Sequence, residues 1–479
     1  MNISFIIPPS FDDNMPAERS AGCTRMVYPM PNIYELTIAA IFEREGHSVT
    51  YHDYVAKNSS KDEFEKDIKS LSADVFCFWS VNLSISTDLT AIEIIRQFHA
   101  DNWILFMGPA GTYFTSKLLI DNKIAIIRGE PDVSALNTII AIEKELPLSE
   151  VKGISFLDSK KEIVNNAPQP LLKDLDSLPI PARHFIEDRT FRNPKLKNSP
   201  YTSVVTSRNC PYQCIYCVPS SLTFAREIES KNNRGSKPPI YFRTPENVAE
   251  ELKQLADKGY KSIAFVDDNF IFNTNRLKAI VEELNKYDFH WGCQARADAI
   301  DEEVASILGN SKCDYIDLGV ESFNDDILKF IRKGMNSEQI YDAINLLNKY
   351  KVPVKLNILI GTSPLETEET IKETVKEAKK LKVSQVMFNI VSPFPGTKFY
   401  SIAKENGWLK EGEYRPTDVQ RHSILEYPHI TAEEMERILF KSNLSFFLRP
   451  SVIWRHISQF RSLADVISAF KAFKIKMFG

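Results

Sequence analysis

Cys210, Cys214 and Cys217 stand within one short stretch, CPYQCIYC. Thiols spaced this closely become soft ligands once deprotonated and can share one metal centre. Structural zinc usually takes four protein ligands, and no fourth Cys or His lies nearby in sequence. An iron–sulfur cluster with one iron left open suits three thiolates better, with zinc as the alternative. An open iron can coordinate a small molecule, so such a centre can do chemistry. Cys23, Cys77, Cys293 and Cys313 occur singly and read as small buried residues. An odd total of 7 cysteines, with no export signal, argues for reduced thiols rather than a disulfide framework.

Other polar groups follow apolar runs along the chain. Asp267 and Asp268 lie in DDNF, Arg296 in CQAR, Glu321 and Ser322 in GVES, and Asn357 and Gly361 in NILIG. A guanidinium can bind a carboxylate through paired donors, and a carboxylate can accept from ribose hydroxyls. The bland alternatives are helix capping for the two Asp residues and an internal Arg–Glu ion pair for Arg296 and Glu321. Further upstream, GPAGT (108–112) and RGEP (128–131) each follow a short apolar run. Glycine there allows close backbone approach to a ligand, or simply makes a tight strand-to-helix turn.

The elements that must position these groups show in the hydrophobic pattern. Strand-like runs at Ile3–Ile7, Ser48–Tyr51, Asp74–Trp79, Trp103–Met107 and Ile124–Ile127 alternate with helical patterns at Ile33–Arg44, Leu89–Phe98 and up to about Glu145. That rhythm predicts a doubly wound, Rossmann-like α/β domain over 1–150, with ligands at the carboxyl ends of the strands. Residues 151–195, rich in proline around Asp174 and Asp176, read as a linker. Six further strand candidates follow: Thr202–Thr206, Ser262–Val266, His290–Gln294, Tyr315–Val320, Val354–Ile360 and Val383–Val391. Helical patterns between them predict a partial (β/α)6 barrel over 196–400, and a helical C-terminal region over 401–479. With 479 residues, 25% of them charged, a net charge of −4 and no long apolar run, the composition excludes disorder and fibrous architecture and predicts a cytoplasmic protein.

The spacing CxxxCxxC, with Tyr216 before the last cysteine and the motif after the first strand of a six-repeat region, resembles the signature of radical S-adenosylmethionine (SAM) enzymes. The resemblance implies that Cys210, Cys214 and Cys217 hold a 4Fe-4S cluster whose open iron chelates SAM. It implies reductive cleavage of SAM to a 5′-deoxyadenosyl radical, which abstracts hydrogen from an unactivated C–H bond. Asp267 and Asp268 stand where relatives carry a GGEP-like segment, without its glycines. Arg296, Glu321 and Ser322 resemble positions that contact the SAM carboxylate and ribose. Asn357 and Gly361 resemble a fifth-strand GxIxG pattern beside the adenine, with Asn in place of the first glycine. PFPGT (393–397) matches a loop of one large branch of these enzymes.

With its amino-terminal domain, the chain resembles cobalamin-binding radical SAM proteins, a branch that includes methyltransferases and anaerobic porphyrin-ester oxidative cyclases. Relatives often read GGPHAT and RGEGE at the two glycine loops, so Ala110, Gly111 and Pro131 are departures. The resemblance implies cobalamin beside Asn82, Ser84, Thr87, Gly108, Gly129 and Glu130. No D-x-H-x-x-G segment is present; His52 and Asp53 stand in reversed order, and His52 is not assigned to cobalt. The implied activity is methylation of an unactivated carbon. Oxidative cyclisation of a lipid-like or tetrapyrrole-like substrate and a cluster-binding sensor without turnover are the alternatives.

The carboxyl terminus differs in charge from the body. Residues 437–479 hold eight Lys or Arg and one acid, a net +7, which leaves −11 for residues 1–436. Leu463, Val466, Ile467, Phe470 and Phe473 recur at helical spacing, with Phe440, Phe446, Phe447, Trp454, Phe460 and Phe478 as added aromatic surface. A terminal helical lid packed on the acidic body is the favoured reading, and peripheral membrane contact the alternative. Expected partners are a small-molecule substrate, an apolar one on the second reading, and an electron donor such as flavodoxin or ferredoxin; nucleic acid is not expected.

Overall fold

The computed structural model describes residues 1–449, except 13, 14, 27, 188–190, 416, 418 and 420. The chain packs as two compact units. The first comprises Met1–Pro211 and Val218–Asp268, and the second Tyr212–Cys217 and the described residues from Asn269 onward.

The first unit holds a seven-stranded sheet of β1 (Asn2–Ile7), β2 (Ser48–Asp53), β3 (Val75–Trp79), β4 (Trp103–Met107), β5 (Ile124–Ile127), β6 (Ile154–Leu157) and β7 (Ile163–Asn165), in the order β2-β1-β3-β4-β5-β6-β7. The first five are parallel, and β6 and β7 close the edge antiparallel. The sequences VFCFW, WILFM and IAII are apolar at every position because both faces are covered. Phe5, Cys77, Leu105 and Met107 share one core with helices Ile33–Arg44 and Pro131–Glu143. Ile6, Phe76, Phe78 and Phe106 share the other with Lys61–Ser70 and Ile85–Phe98. The strand order reverses between β1 and β3, which makes the crevice beyond their carboxyl ends the natural ligand position.

β6 and β7 fall in the stretch that reads from sequence as an irregular connection. The two strands, ISFL and IVN, are four and three residues long and each includes a polar residue, too little pattern to stand out from loop. The same unit carries β8 (Tyr201–Val204) paired parallel to β11 (Ser262–Phe265), and a short antiparallel pair, β9 (Ser207–Arg208) with β10 (Tyr241–Phe242).

The second unit holds β12 (His290–Ala295), β13 (Cys313–Glu321), β14 (Val354–Ile360) and β15 (Gln385–Ile390), paired parallel in that order. Helices Glu302–Gly309, Ser337–Lys349 and Glu368–Lys380 connect them, each burying one apolar stripe such as Ile340, Ala343, Ile344 and Leu347. All six strands expected between Tyr201 and Tyr400 therefore form, two in the first unit and four in the second. The register of β13 against β14 slips between Gly319 and Glu321, and Glu321 adopts φ +66°, so the strand end is re-aimed where chemistry is expected.

Helix Ala432–Phe447 packs on β15 and on helix Glu368–Lys380, burying Met435, Ile438, Leu439 and Phe446. Phe446, read from sequence as aromatic surface, is fully buried against Phe388, while Phe440 is exposed. Trp454, Phe460, Leu463, Val466, Ile467, Phe470, Phe473 and Phe478 lie outside the described residues. Among the described residues no helix is long and apolar enough to cross a membrane.

Candidate functional site

In the first unit, the two aspartates after β11 tie down the flanks of the cysteine loop. Asp267 accepts from the backbone N–H of Thr206 at 3.0 Å and from the hydroxyls of Thr206 (2.7 Å) and Ser207 (2.5 Å). Asp268 accepts from the N–H of Asn209 (3.2 Å), the N–H of Ser220 (2.7 Å) and the hydroxyl of Thr223 (2.5 Å). Burial raises the pKa of Asp268, and the Thr223 and Ser220 hydrogen bonds oppose that shift. Both carboxylates are thus engaged in holding backbone on either side of Cys210–Cys217.

Arg208, two residues before Cys210, is held in turn by the RGEP loop. Its Nη1 donates to Glu130 and to Asp132, each at 2.6 Å, and Arg226 lies 3.0 Å from Glu130. Glu130 also accepts from the N–H of Leu172. The glutamate expected beside a corrin is, in this structure, a buried partner of two arginines.

In the second unit, Arg296 follows β12 and its guanidinium lies 3.5 Å from the centre of the Tyr212 ring. Its Nη1 stands 3.7 Å from the Cys214 sulfur, its Nε and Nη2 each contact Asp298 at 2.9 Å, and Nη2 donates to the Lys333 carbonyl at 2.6 Å. Burial works against the charge of Arg296, and Asp298 outweighs it and holds its pKa above the ordinary value. Lys333 is buried and pairs with Glu321 at 2.7 Å; its Nζ lies 3.2 Å from the Tyr216 hydroxyl. Burial would lower the Lys333 pKa, but Glu321 and then Cys214 raise it, so the ammonium stays charged. Burial lifts the Tyr216 phenol well above its usual range, with Glu321 and Cys214 adding to it. Arg296 therefore stands beside the Cys214 sulfur, and the charge of Lys333 is felt there.

The remaining expected residues are buried or half-buried. Asn357 is half-buried on the sheet. Ser322 is buried, its hydroxyl 3.3 Å from that of Thr374. Gly361 donates its N–H to Glu366 at 2.6 Å, and its carbonyl accepts from Tyr427 at 2.7 Å. Burial raises the Glu366 carboxyl to about 7, against hydrogen bonds from Thr362 and Gly361.

At the switch point of the first sheet, Asn82 is 2% exposed, and neither its Oδ1 nor its Nδ2 has a hydrogen-bond partner. Ser84 is buried and its hydroxyl is bound within the fold to Val81 and to Asp88, at 2.7 Å. Asp88 also pairs with Arg19, at 2.7 Å, whose Nη1 donates to the Trp79 carbonyl at 2.6 Å. Thr87 is half-buried. Gly108 has φ +93°, and a Cβ there would lie 2.6 Å from the Ser80 carbonyl oxygen, so no other residue fits. Gly129, at φ +70°, is backed by the Glu229 side chain. His52 lies in β2, with Nε2 3.0 Å from the Thr50 hydroxyl.

Lys333, Tyr212 and Asp298 join the site without having been singled out from sequence. Lys333 lies in an ordinary IRKGMN turn, and its role follows only from the fold returning it to Glu321. Tyr212 sits inside the cysteine motif, where an aromatic two residues after Cys210 was the available signal. Among the described residues, no three or more His, Cys, Asp or Glu side chains gather in a way that could hold a metal ion. The cysteine trio is recognised by its spacing and by the guanidinium beside Cys214. Three closely spaced thiols with the Arg296 guanidinium beside one of them fit an iron–sulfur centre, and the orphaned carboxamide of Asn82 fits the amide-rich rim of a corrin.

The chain resembles known proteins in sequence and in fold. Residues 204–378 match the Radical SAM superfamily. An uncharacterized methyltransferase of Pyrococcus horikoshii is 29% identical over 95% of both chains. The cobalamin-dependent SAM radical enzyme OxsB, solved with aqua-cobalamin and SAM, superposes with a TM-score of 0.63 at 16% identity, covering 94% of this chain and 61% of that one. The radical SAM methyltransferase TsrM from Kitasatospora setae, solved with cobalamin and a [4Fe-4S] cluster, gives 0.64 at 16% identity, covering 85% and 75%. The chain thus spans less than two thirds of OxsB. Residues 204–378 are a radical SAM domain. The chain around it has the fold of cobalamin-dependent radical SAM enzymes.

Proposed function

We propose that the chain is a radical SAM enzyme that methylates an unactivated carbon of a small molecule, using a 4Fe-4S cluster at Cys210, Cys214 and Cys217, SAM, and cobalamin. The observation that carries this reading is the position of Arg296, stacked on Tyr212 and 3.7 Å from the Cys214 sulfur. A cation held there by a residue of the cysteine motif neutralises thiolate charge and leaves a donor for a carboxylate. When bound, the three groups supply an electron, a radical precursor and a methyl carrier.

The protein's own groups have separate tasks. Asp267 and Asp268 hold the backbone that flanks the cysteine motif. Lys333 and Glu321, with Tyr216 beside them, present one positive and one negative group for the amino-acid and ribose portions of SAM, alongside Ser322, Asn357 and Gly361. Asn82 offers a paired donor and acceptor to a corrin amide, with Ser84, Thr87, Gly108 and Gly129 around the same strand ends.

Anaerobic reconstitution with iron, sulfide and hydroxocobalamin tests the reading. S-adenosylhomocysteine should form alongside 5′-deoxyadenosine when a methyl acceptor is present. Deoxyadenosine alone would point to oxidation or cyclisation, and no SAM cleavage under reductant would remove catalysis. Replacing Cys210, Cys214 and Cys217 together by alanine should abolish iron-dependent absorbance.

A further inference from the structure

Side chains on a strand alternate between two faces, so the β12–β15 sheet can be read row by row. One face is apolar and fully buried, with Ile316, Leu356 and Val386 as examples. The other carries a row in exact register across all four strands: Gln294 beside Asp317, Asp317 beside Lys355, and Lys355 beside Gln385. Four polar residues in one transverse row, on strands whose opposite face is hydrocarbon, are not needed for folding.

Two links place this row next to the chemistry. A Cβ on Gly319, two residues beyond Asp317, would lie 3.0 Å from both Glu321 Oε1 and Lys333 Nζ, so the row shares its face with that ion pair. Gln294 precedes Arg296 by two residues, and the extended backbone of Arg296 (φ −100°, ψ 147°) continues the alternation. The row therefore lies about 7 Å along the strands from the groups around Cys214. A side chain on Gly319 would press on that ion pair, so the glycine leaves Glu321 and Lys333 their place on this face.

The chemistry of the row is specific. Asp317 and Lys355 pair at 3.4 Å and cancel in charge. What remains is carboxamide: Gln294, exposed although it lies within a strand, and Gln385, half-buried. Asn357 and Asn389 stand half-buried on the same face, one and two rows on, and the buried Oδ1 of Asn389 has no hydrogen-bond partner. Each carboxamide offers a donor and an acceptor side by side. A hydrocarbon substrate would cover these groups without satisfying them.

We propose that this row anchors the substrate, and that the substrate is a polar molecule bearing amide-like groups, donor beside acceptor, with no net charge at the contact. This deepens the radical SAM reading and rests on it. It selects a water-soluble substrate over the apolar one suggested by the basic, aromatic tail.

The test uses full-length reconstituted protein, reductant and methyl-labelled SAM, with either the aqueous or the chloroform phase of an extract of the source cells. The aqueous phase should raise 5′-deoxyadenosine formation by about tenfold and the chloroform phase should not. Stimulation by the chloroform phase alone, or by neither phase, overturns the proposal. Label transfer reports separately: stimulation by the aqueous phase without methyl transfer upholds the polar site and removes the methylation reading. In Gln294→Leu and Gln385→Leu proteins with wild-type iron content, half-maximal stimulation should need about fivefold more aqueous phase. An unchanged requirement in both overturns the assignment of the row. Should neither variant fold, the phase preference of the wild type still decides.

Discussion

The carboxylate of Asp268 accepts the backbone N–H of Ser220 at 2.7 Å, three residues past the last cysteine of the motif. The same carboxylate reaches Asn209, the residue before the first cysteine. One side chain at the end of β11 thereby fixes both ends of a loop that contributes no regular structure of its own.

Asp268→Asn keeps the shape but turns one acceptor into a donor facing backbone N–H groups. A buried mismatch of this kind costs about 1–3 kcal/mol. Iron bound per chain after reconstitution should fall severalfold, with a lower thermal midpoint, while Glu187→Gln on the exposed surface should change neither. Full iron retention in Asp268→Asn would show that the loop holds its shape without this anchor.

Arg296 makes three kinds of contact that lysine cannot reproduce together: a flat stack on Tyr212, a bidentate pair with Asp298 and a donor toward Cys214. Arg296→Lys should lower 5′-deoxyadenosine formation by about tenfold or more, with a raised KM for SAM, since the cation–π and paired contacts are worth about 1–2 kcal/mol or more when desolvated. Wild-type KM and rate in that variant would assign Arg296 to fold support alone.

The strands that place these groups were readable because they are long, apolar and separated by helical spacing; Val354–Ile360 matches residue for residue. β6 and β7 were not, since three or four residues carry too little periodicity. Cys210, Cys214 and Cys217 announce themselves by being close in sequence. The partners of Arg296 and Glu321 do not: Asp298 is one short acid among many, and Lys333 meets Glu321 only through a turn and the slipped register at Gly319. The alternative reading of an Arg296–Glu321 ion pair does not form: Arg296 pairs with Asp298 and Glu321 with Lys333. Glu130 shows the same limit, because the two guanidinium groups that bind it come from Arg208 and Arg226, far along the chain.

Glu366 makes stability pH-dependent. Its folded pKa, about 7, lies above the ordinary carboxylate value of 4.5 because burial disfavours the charge. Between those two values the folded state holds the proton more tightly than the unfolded chain. Stability should therefore fall as pH rises from about 4.5 to about 7 and level off above, by up to roughly 3 kcal/mol for this group. Glu366→Gln should flatten that part of the profile, so the variant gains thermal midpoint relative to wild type at pH 8 more than at pH 5. An equal difference at both pH values would show that Glu366 titrates normally.

Asn82 separates stability from ligand binding. Both polar atoms of its carboxamide are buried without partners, which costs the protein about 1–3 kcal/mol relative to a residue that needs none. Leucine has nearly the same size and no such requirement, so Asn82→Leu should melt at or above the wild-type temperature without cobalamin. If the carboxamide is kept to meet a corrin amide at the crevice between β1 and β3, the same variant should bind hydroxocobalamin about tenfold more weakly in equilibrium dialysis, since one lost hydrogen-bonded contact leaves its partner unsatisfied. A variant that is both more stable and less able to bind would show that the buried polar group is retained for the ligand. Unchanged cobalamin affinity would show that Asn82 does not meet the corrin, whatever its effect on melting.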